Sequence, residues 1–398
     1  MTEVDRAVER AARDSYGRLV AQLAVRFGDV GGAEDALADA FLAALRTWPL
    51  RGVPDAPVAW LLTTARNRLR DQRRRQKRWN EIQEAIVALA DDHNEVRDHR
   101  LQLLFACAHP AIAAADRTPL MLQTVLGVPT DVIAHAFLVS PSAMSKRLVR
   151  VKRKIKRARV PFELPDVSEW SARLDAVLAG VYATYGQAWD AGVALQDKRA
   201  DLVRLRGEAL HLAEVLVHAL PHEPEANALL ALFLYCEARA NAQAPGTYIP
   251  FDEQDVARWD AERLAAADAH LRAAATNRSF GRYQLEAAIQ SCHVTRRTRG
   301  IDTWREVALL YEALYRRFPT LGAWLGFVAA TAETRGVDAA FALLESRAVP
   351  QRTQSYWALR ANLHRCRVET EAANAAYRRA AVLTADPAVR AWLLARRG

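Results

Sequence analysis

Apolar residues recur along most of the chain at intervals of three and four, which is the spacing of one face of an α-helix. The clearest case is residues 140–160, where Met144, Leu148, Val151 and Ile155 form one apolar stripe. Alternation with a period of two residues is never sustained for long. The pattern therefore predicts an all-α protein, in which each helix buries one face against its neighbours.

The start of that helix is predicted at Ser140 and Pro141, because a serine hydroxyl caps the first amides and proline has no amide to satisfy. The face opposite the stripe is polar and basic. A short amphipathic helix, residues 130–138, is predicted immediately before it, with Thr130 as its cap. Two helices joined by so few residues, the second one basic, indicate a helix-turn-helix. An ordinary helical hairpin with a solvated charged face is the alternative.

Two helices, 16–27 and 33–48, are predicted around a turn at 28–32, and a turn-rich loop follows at 50–57. Leu45 is among the residues predicted to pack inward. Three carboxylates, those of Glu34, Asp35 and Asp39, lie near the start of the second helix. There they either complement the helix dipole or form an exposed face for a partner.

The next predicted helix, 58–78, has an apolar face and a row of arginines and lysines that begins at Arg66. The four residues predicted to pack inward are Leu61, Leu62, Ala65 and Leu69. Cations bind phosphates, and aromatic side chains can stack on unpaired bases. Trp60, which lies beside the row, is therefore a candidate contact for a base, and burial of its ring is the alternative.

The second half of the chain reads as one helix after another, beyond a predicted linker at 79–100 that contains a short helix at 82–89. Small residues recur every 33 positions at Ala340 and Ala373, and tryptophans recur at the same interval at Trp324 and Trp357. This period predicts a solenoid of tetratricopeptide-like helical hairpins. An interrupting segment, 241–260, is predicted to be an ordered loop. Either Asp252 or Asp255 would cap the next helix, and contact with a partner is the alternative role of the loop.

The net charge of +9 is confined to the first two-fifths of the chain. Residues 1–160 contain 27 Lys and Arg against 18 Asp and Glu, whereas residues 161–398 contain 28 of each kind. Such a division is typical of a basic nucleic-acid-binding part joined to a neutral part.

Other classes of protein find little support in the sequence. The four cysteines are far apart, as expected for free thiols in a reducing cytoplasm. The charged N-terminus does not resemble a signal peptide, and the longest apolar run, 228–236, is too short to span a bilayer. No nucleotide-binding, metalloprotease or serine-hydrolase motif occurs. We therefore predict a cytoplasmic protein that has no membrane partner, no catalytic residues, no metal site and no cofactor.

Four segments together resemble a bacterial RNA polymerase sigma factor of the extracytoplasmic-function type, which is group 4 of the sigma-70 family. They are AEDALADAFLAALRTWP (33–49), PVAWLLTTARNRLRDQRRR (57–75), LLFACAHPAI (103–112) and DVIAHAFLVSPSAMSKRLVRVKRKI (131–155). The chain is similar in particular to a subgroup with a tetratricopeptide-like C-terminal extension. That extension contains a motif of acidic residues and tryptophan, which the segment FDEQDVARWD (251–260) resembles. The resemblance implies region 2 at 1–78, a linker at 79–100, region 4 at 101–160 and a regulatory extension at 161–398.

The resemblance also implies three sets of site residues. Core RNA polymerase is expected to bind Asp35, Asp39, Leu42 and Arg46. The −10 region of the promoter is expected to contact Arg51, Trp60, Arg66, Asn67, Arg70, Arg73 and Arg74. The −35 element is expected to contact Ser142, Ser145, Lys146, Arg147, Val149, Arg150 and Arg153.

The predicted function is that of a sigma factor, which binds core RNA polymerase and promoter DNA. Its C-terminal part would regulate it in cis, through contact with the sigma domains or the polymerase. The alternative is a stand-alone helix-turn-helix regulator with a helical effector- or partner-binding domain, which leaves the arginine row after Arg66 unexplained. A tetratricopeptide scaffold leaves the division of charge unexplained, and an enzyme has the least support.

Overall fold

The computed structural model describes residues 3–77, 98–137, 139–165, 167–190, 199–243, 246–275, 280–347, 353–384 and 386–396. These residues form eighteen α-helices, three short 3₁₀ helices and no β-strand. The predicted all-α class is therefore confirmed. Packing divides the chain into two compact units, residues 1–187 and 188–398.

The first unit contains seven helices and most of an eighth. They are α1 Glu3–Phe27, α2 Val30–Arg51, α3 Pro57–Lys77, α4 Arg100–Cys107, α5 Ala114–Thr124, α6 Thr130–Ala136, α7 Pro141–Ala158 and α8 Val167–Asp190. The predicted turn at 28–32 is wrong, since only Gly28 and Asp29 separate α1 from α2. Asp29 caps α2 by accepting a hydrogen bond from the amide of Gly32, so the helix begins earlier than the sequence suggested.

Helix α2 buries Leu37, Ala44 and Trp48 against α1 and α3. The prediction that Leu45 packs inward is wrong, because its side chain lies on the outer face and is 42% exposed. The helix also continues through Pro49 to Arg51, where the amide of Gly52 still donates to the carbonyl of Trp48. The loop before α3 is consequently shorter than predicted.

Helices α6 and α7 form the predicted helix-turn-helix, with α5 packed against both, and all four residues of the apolar stripe on α7 are buried as predicted. The Ser140 hydroxyl accepts a hydrogen bond from the Ala143 amide at 3.2 Å, which confirms the predicted cap. The predicted cap of α6 is wrong. Thr130 is the first residue of that helix, and its hydroxyl accepts a hydrogen bond from the Gln123 side chain instead.

Most of helix α8 belongs to the first unit, although the resemblance predicts that residues 161–187 are part of the C-terminal extension. The Trp170 ring lies 5.1 Å from that of Phe105 in α4. Gly180 lies so close to α5 that an added Cβ would be 2.5 Å from the Met121 sulfur. The predicted linker and its helix at 82–89 lie outside the described residues, except for positions 98–100, where Arg100 begins α4.

The second unit is built from ten further helices. They are α9 Arg199–Ala219, α10 Pro224–Ala238, α11 Ala261–Ala274, α12 Arg282–Arg299, α13 Trp304–Arg317, α14 Leu321–Arg335, α15 Val337–Glu345, α16 Gln354–Cys366, α17 Thr370–Leu383 and α18 Pro387–Ala395. Helix α10 is apolar on nearly every side, and α9, α11 and α12 pack around it. From α12 to α18 each helix packs on the next. This arrangement and the burial of Ala340, Ala373 and Trp324 support the predicted solenoid, which stays a prediction.

The segment 246–260 is an ordered strap that joins distant helices of the second unit. Tyr248 packs edge-on against Trp392 of α18 with ring centroids 5.3 Å apart, and Asp252 pairs with Arg296 of α12 at 2.6 Å. The prediction that Asp252 or Asp255 caps the following helix is wrong, because Asp260 caps α11. Asp255 instead caps the short 3₁₀ helix Val256–Arg258 within the strap.

Val368, between α16 and α17, has a φ of 61° and is 83% exposed. A β-branched residue is strained in this left-handed region, and little packing compensates for the strain. We expect Val368→Gly to raise the free energy of unfolding by about 0.5–1 kcal/mol, as measured by urea denaturation. Val382→Gly, at an equally exposed position inside α17, is the matched control and should lower it by about 0.5–1 kcal/mol. Equal effects at both sites would contradict the prediction.

Candidate nucleic-acid interface

The basic side chains of α7 border an open surface depression of about 620 Å³, called the groove below. It is lined by Ser145, Lys146, Val149, Arg150, Arg153, Lys154 and Arg157. None of these lining residues is acidic, and Val149 places an apolar side chain, 45% exposed, among the cations. Lys and Arg side chains donate to phosphates and to guanine edges, and an apolar side chain contacts the thymine methyl group. The side chains that line the groove on α7 therefore have the chemistry needed to contact base edges in the major groove of DNA.

Five of the seven residues predicted to contact the −35 element line this groove. Ser142 is exposed in the first turn of α7, outside the lining. Arg147 points elsewhere: it pairs with Asp116 and donates to the Ala115 carbonyl at 2.6 Å. The predicted set of −35 residues omitted Lys154 and Arg157, which line the groove because they follow Arg150 and Arg153 by one helical turn.

Helix α3 buries Leu61, Leu62, Ala65 and Leu69, as predicted. Its arginine row divides between the interior and the surface. Arg66 is only 8% exposed. Arg73 is exposed, although its guanidinium lies over the Phe27 ring at 4.8 Å and donates to the Phe27 carbonyl. Asn67 and Arg74 are exposed, as is Arg51 at the end of α2, and Arg70 is half-buried.

Trp60 is half-buried at the start of α3, and its ring lies edge-on to Trp48 with centroids 5.5 Å apart. Trp48 itself is 2% exposed. Trp48 thus belongs to the core and positions Trp60 near the surface, where its ring is neither fully buried nor fully exposed. Part of the Trp60 side chain stays accessible, and its role as a contact for a base stays a prediction.

The four residues expected to bind polymerase lie along one side of α2. Asp35, Leu42 and Arg46 are exposed, and Asp39 lies 3.8 Å from Arg68 with 45% of its side chain accessible. Their spacing of four, three and four residues places them on one helical face. Glu34, the remaining carboxylate considered for this face, turns instead toward α7, where it pairs with Lys152.

Other chemistry is sparse in the described part of the chain. Burial raises the pKa of the Cys107 thiol to about 12, so this thiol stays protonated near neutral pH. No group of three or more His, Cys, Asp or Glu side chains is placed to hold a metal ion within the described ranges. Among the helices described, none combines the length and the apolar character that crossing a membrane requires.

Comparison with known proteins gives two family matches and one related protein. A family described as Sigma-70 region 2 matches residues 13–79, which contain most of α1 together with α2 and α3. A family of unknown function, DUF6596, matches residues 173–275. The protein named "Uncharacterized protein R00370" from Rhizobium meliloti (strain 1021) is 34% identical over 355 residues, which is 86% of this chain and 82% of the relative. No solved structure gives a significant match.

The Sigma-70 region 2 match coincides with the predicted region 2 and contains the arginine row of α3 and the exposed stripe of α2. Region 2 implies binding to core RNA polymerase and to promoter DNA. The extracytoplasmic-function subgroup and the tetratricopeptide-like extension stay predictions. The chain thus carries region 2 of a sigma-70 family sigma factor, has a sigma-factor-like role in transcription initiation, and belongs to the same protein family as the Rhizobium meliloti protein.

Proposed function

We propose that this protein is a group 4, extracytoplasmic-function sigma factor of the cytoplasm. It binds core RNA polymerase and selects promoters by contacting two DNA elements, and it has no catalytic activity of its own. The observation that carries this proposal is the presence of two separate basic helices, α3 within region 2 and α7 in the helix-turn-helix. A stand-alone helix-turn-helix regulator needs only α7 and leaves both region 2 and the α3 row without a use.

Each basic helix has its own part in this function. Trp60 and the exposed polar side chains near α3, including Asn67 and Arg74, hold the unpaired strand of the −10 element by stacking and by phosphate contact. Helix α7 enters the major groove at the −35 element, where Lys146 and Arg150 donate to base edges. Arg147 does not share this role, since Asp116 already engages it. The exposed stripe of α2 binds the polymerase.

The test is transcription of fragmented genomic DNA by core polymerase, with sequencing of the RNA 5′ ends. Adding the purified protein should produce a set of start sites that share one motif near −35 and one near −10. The double variant Asp35→Ala, Leu42→Ala should lose these start sites, because both changes lie on the exposed stripe of α2 that is proposed to bind the polymerase. This loss shows that the start sites depend on the protein. Failure of the wild-type chain to comigrate with core polymerase in gel filtration would refute the proposal.

We also propose that the second unit regulates the first in cis. In the same assay a chain ending at Gln187 should direct altered levels of transcription from the same start sites. Truncation there keeps the packing of Trp170 and Gly180 of α8 on the first unit, which truncation near residue 165 would remove. Unchanged transcription by the shortened chain would count against regulation in cis.

A further inference from the structure

The strap of the second unit binds both ends of the row of helices from α12 to α18. Successive helices of this row, called the stack below, pack on one another. Two neighbouring strap residues bind its opposite ends. Asp252 pairs with Arg296 of α12 at 2.6 Å, and Glu253 pairs with Arg396, which directly follows α18. The strap thus completes a closed circuit of contacts through α12, α18 and the helices between them.

The contact of the strap with α12 is largely buried. The Phe251 ring lies 5.5 Å from that of Trp259 in the strap and 5.6 Å from that of His293 in α12. Arg297 of α12 donates to the Gln254 carbonyl at 2.7 Å. Trp259 and Gln254 are each only 6% exposed. Buried rings and backbone hydrogen bonds therefore fix the strap on α12.

The contact of the strap with α18 is much more open to water. Tyr248, which meets the Trp392 ring edge-on at 5.3 Å, is 40% exposed. The side chains of Glu253 and Arg396 are 49% and 31% exposed. An exposed ion pair contributes little, and an edge-on ring contact adds a modest amount. The strap can consequently leave α18 while it stays bound to α12.

The stack has no core that runs through its whole length to fix its curvature. Its buried apolar residues form local clusters, one from α12 to α14, one from α14 to α16 and one from α16 to α18. In such a stack each hairpin contacts its neighbours, so small rotations at successive steps add up to a large change in curvature. A contact between the two ends opposes that change, because the ends can separate only when the contact breaks.

Charge favours the closed circuit as well. The strap contains four Asp and Glu against one Arg. Residues 281–398, which include the whole stack, contain 18 Arg and no Lys against 10 Asp and Glu. The acidic strap is therefore attracted to both ends of a basic stack, and added salt weakens this attraction where the contact is exposed.

We propose that the strap is a clasp that holds the stack in a closed curve, and that release of α18 from Tyr248 and Glu253 opens it. Trp392 and Arg396 then become accessible on α18, while Phe251 keeps the strap on α12. The closed curve is the form in which the second unit regulates the first, a step that rests on the proposed function.

The test is a distance measurement by electron–electron double resonance on the full-length chain. Spin labels are attached to non-canonical amino acids at Arg299 in α12 and Ala391 in α18, both exposed, so that the native cysteines stay unchanged. The wild type should give one narrow distance. The double variant Tyr248→Ala, Glu253→Ala should lower the population with this distance by about tenfold, because it removes both contacts with α18.

A charge swap tests the ion pair separately. Glu253→Arg should lower the same population by about threefold or more, and the further change Arg396→Glu should restore it. The matched control is Asp338→Ala. Asp338 is an exposed carboxylate whose partner, Arg367, follows the neighbouring helix α16, so the pair does not join the ends of the stack. This control should change the population by less than about twofold.

Far-ultraviolet circular dichroism shows whether each variant folds. If the alanine double variant does not fold, the charge swap decides, since it alters only partly exposed charges. A narrow distance that persists in the folded double variant, a broad distribution in the wild type, or a swap that fails to restore the distance would overturn the clasp.

A second measurement separates the clasp from the proposed regulation. In the transcription assay, the variant Tyr248→Ala, Glu253→Ala should change transcription by about twofold or more, in the same direction as truncation at Gln187. If truncation alters transcription and the open variant does not, the closed curve is not the regulating form, and this step of the proposal fails. If truncation has no effect, regulation in cis fails, and the distance measurement still decides whether the clasp exists.

Discussion

Replacing Lys146 or Arg150 with alanine is expected to weaken binding to a −35 duplex by about 1–3 kcal/mol each, roughly 5- to 150-fold in affinity. Both side chains line the α7 groove, which has no acidic residue among its lining. Each loss removes donors for base edges and leaves the fold intact, because the buried stripe of α7 is untouched. Fluorescence anisotropy at one fixed salt concentration, with duplexes altered base by base, measures both the affinity and the sequence preference.

Two other arginines serve as controls, one in the same helix and one directly after its end. Arg157→Ala, at the far end of the groove, should weaken all sequences alike and lower the salt dependence by about one unit, as expected for a phosphate contact. Arg159→Gly removes an equal charge outside the groove, at a position whose φ of 49° suits glycine. The Arg159→Gly change should alter the affinity for DNA by less than about twofold, because a charge outside the groove contributes little. A loss at Arg159 as large as that at Arg150 would exclude specific base contact.

Replacing Trp48 with alanine should destabilise the first unit by about 3–5 kcal/mol. The side chain is 2% exposed and supports Trp60 edge-on at 5.5 Å, so its removal leaves a cavity and frees the ring expected to stack on the −10 strand. Urea denaturation followed by far-ultraviolet circular dichroism measures the stability. The anisotropy of fluorescently labelled single-stranded DNA measures the binding, which should fall as well.

Leu45→Ala is the matched control, since Leu45 lies on the same helix less than one turn away with 42% of its surface exposed. Its effect on the free energy of unfolding should stay within about 0.5 kcal/mol. Trp48→Phe should fall between the two, because a smaller ring fills part of the cavity. Similar denaturation midpoints for Trp48→Ala and Leu45→Ala would contradict the assignment of Trp48 to the core.

Prediction from the sequence is reliable for features that depend on neighbouring residues and fails for features that depend on how helices pack. The stripe on α7 and the Ser140 cap depend on contacts within a few residues, so periodicity and residue type were sufficient. Leu45 shows the limit of that reasoning. Its spacing is compatible with the packing stripe, yet α1 and α3 cover the face of α2 that carries Leu37, Ala44 and Trp48 and leave Leu45 outside. Arg147 shows the same limit on α7, because its partner Asp116 is 31 positions away along the chain.

What the sequence determined by itself is local or cumulative: the all-α class, the helix-turn-helix, the basic first two-fifths and the arginine row. These properties follow from side-chain periodicity and from total charge, neither of which depends on how helices meet. Only the tertiary structure decided which cations are free to reach DNA and which are engaged within the protein. Lys152 and Lys146 are both lysines on α7, and the docking of α2 alone makes one a partner of Glu34 and leaves the other in the groove. That difference arises because a contact 118 positions apart in the chain is set by the packing of whole helices.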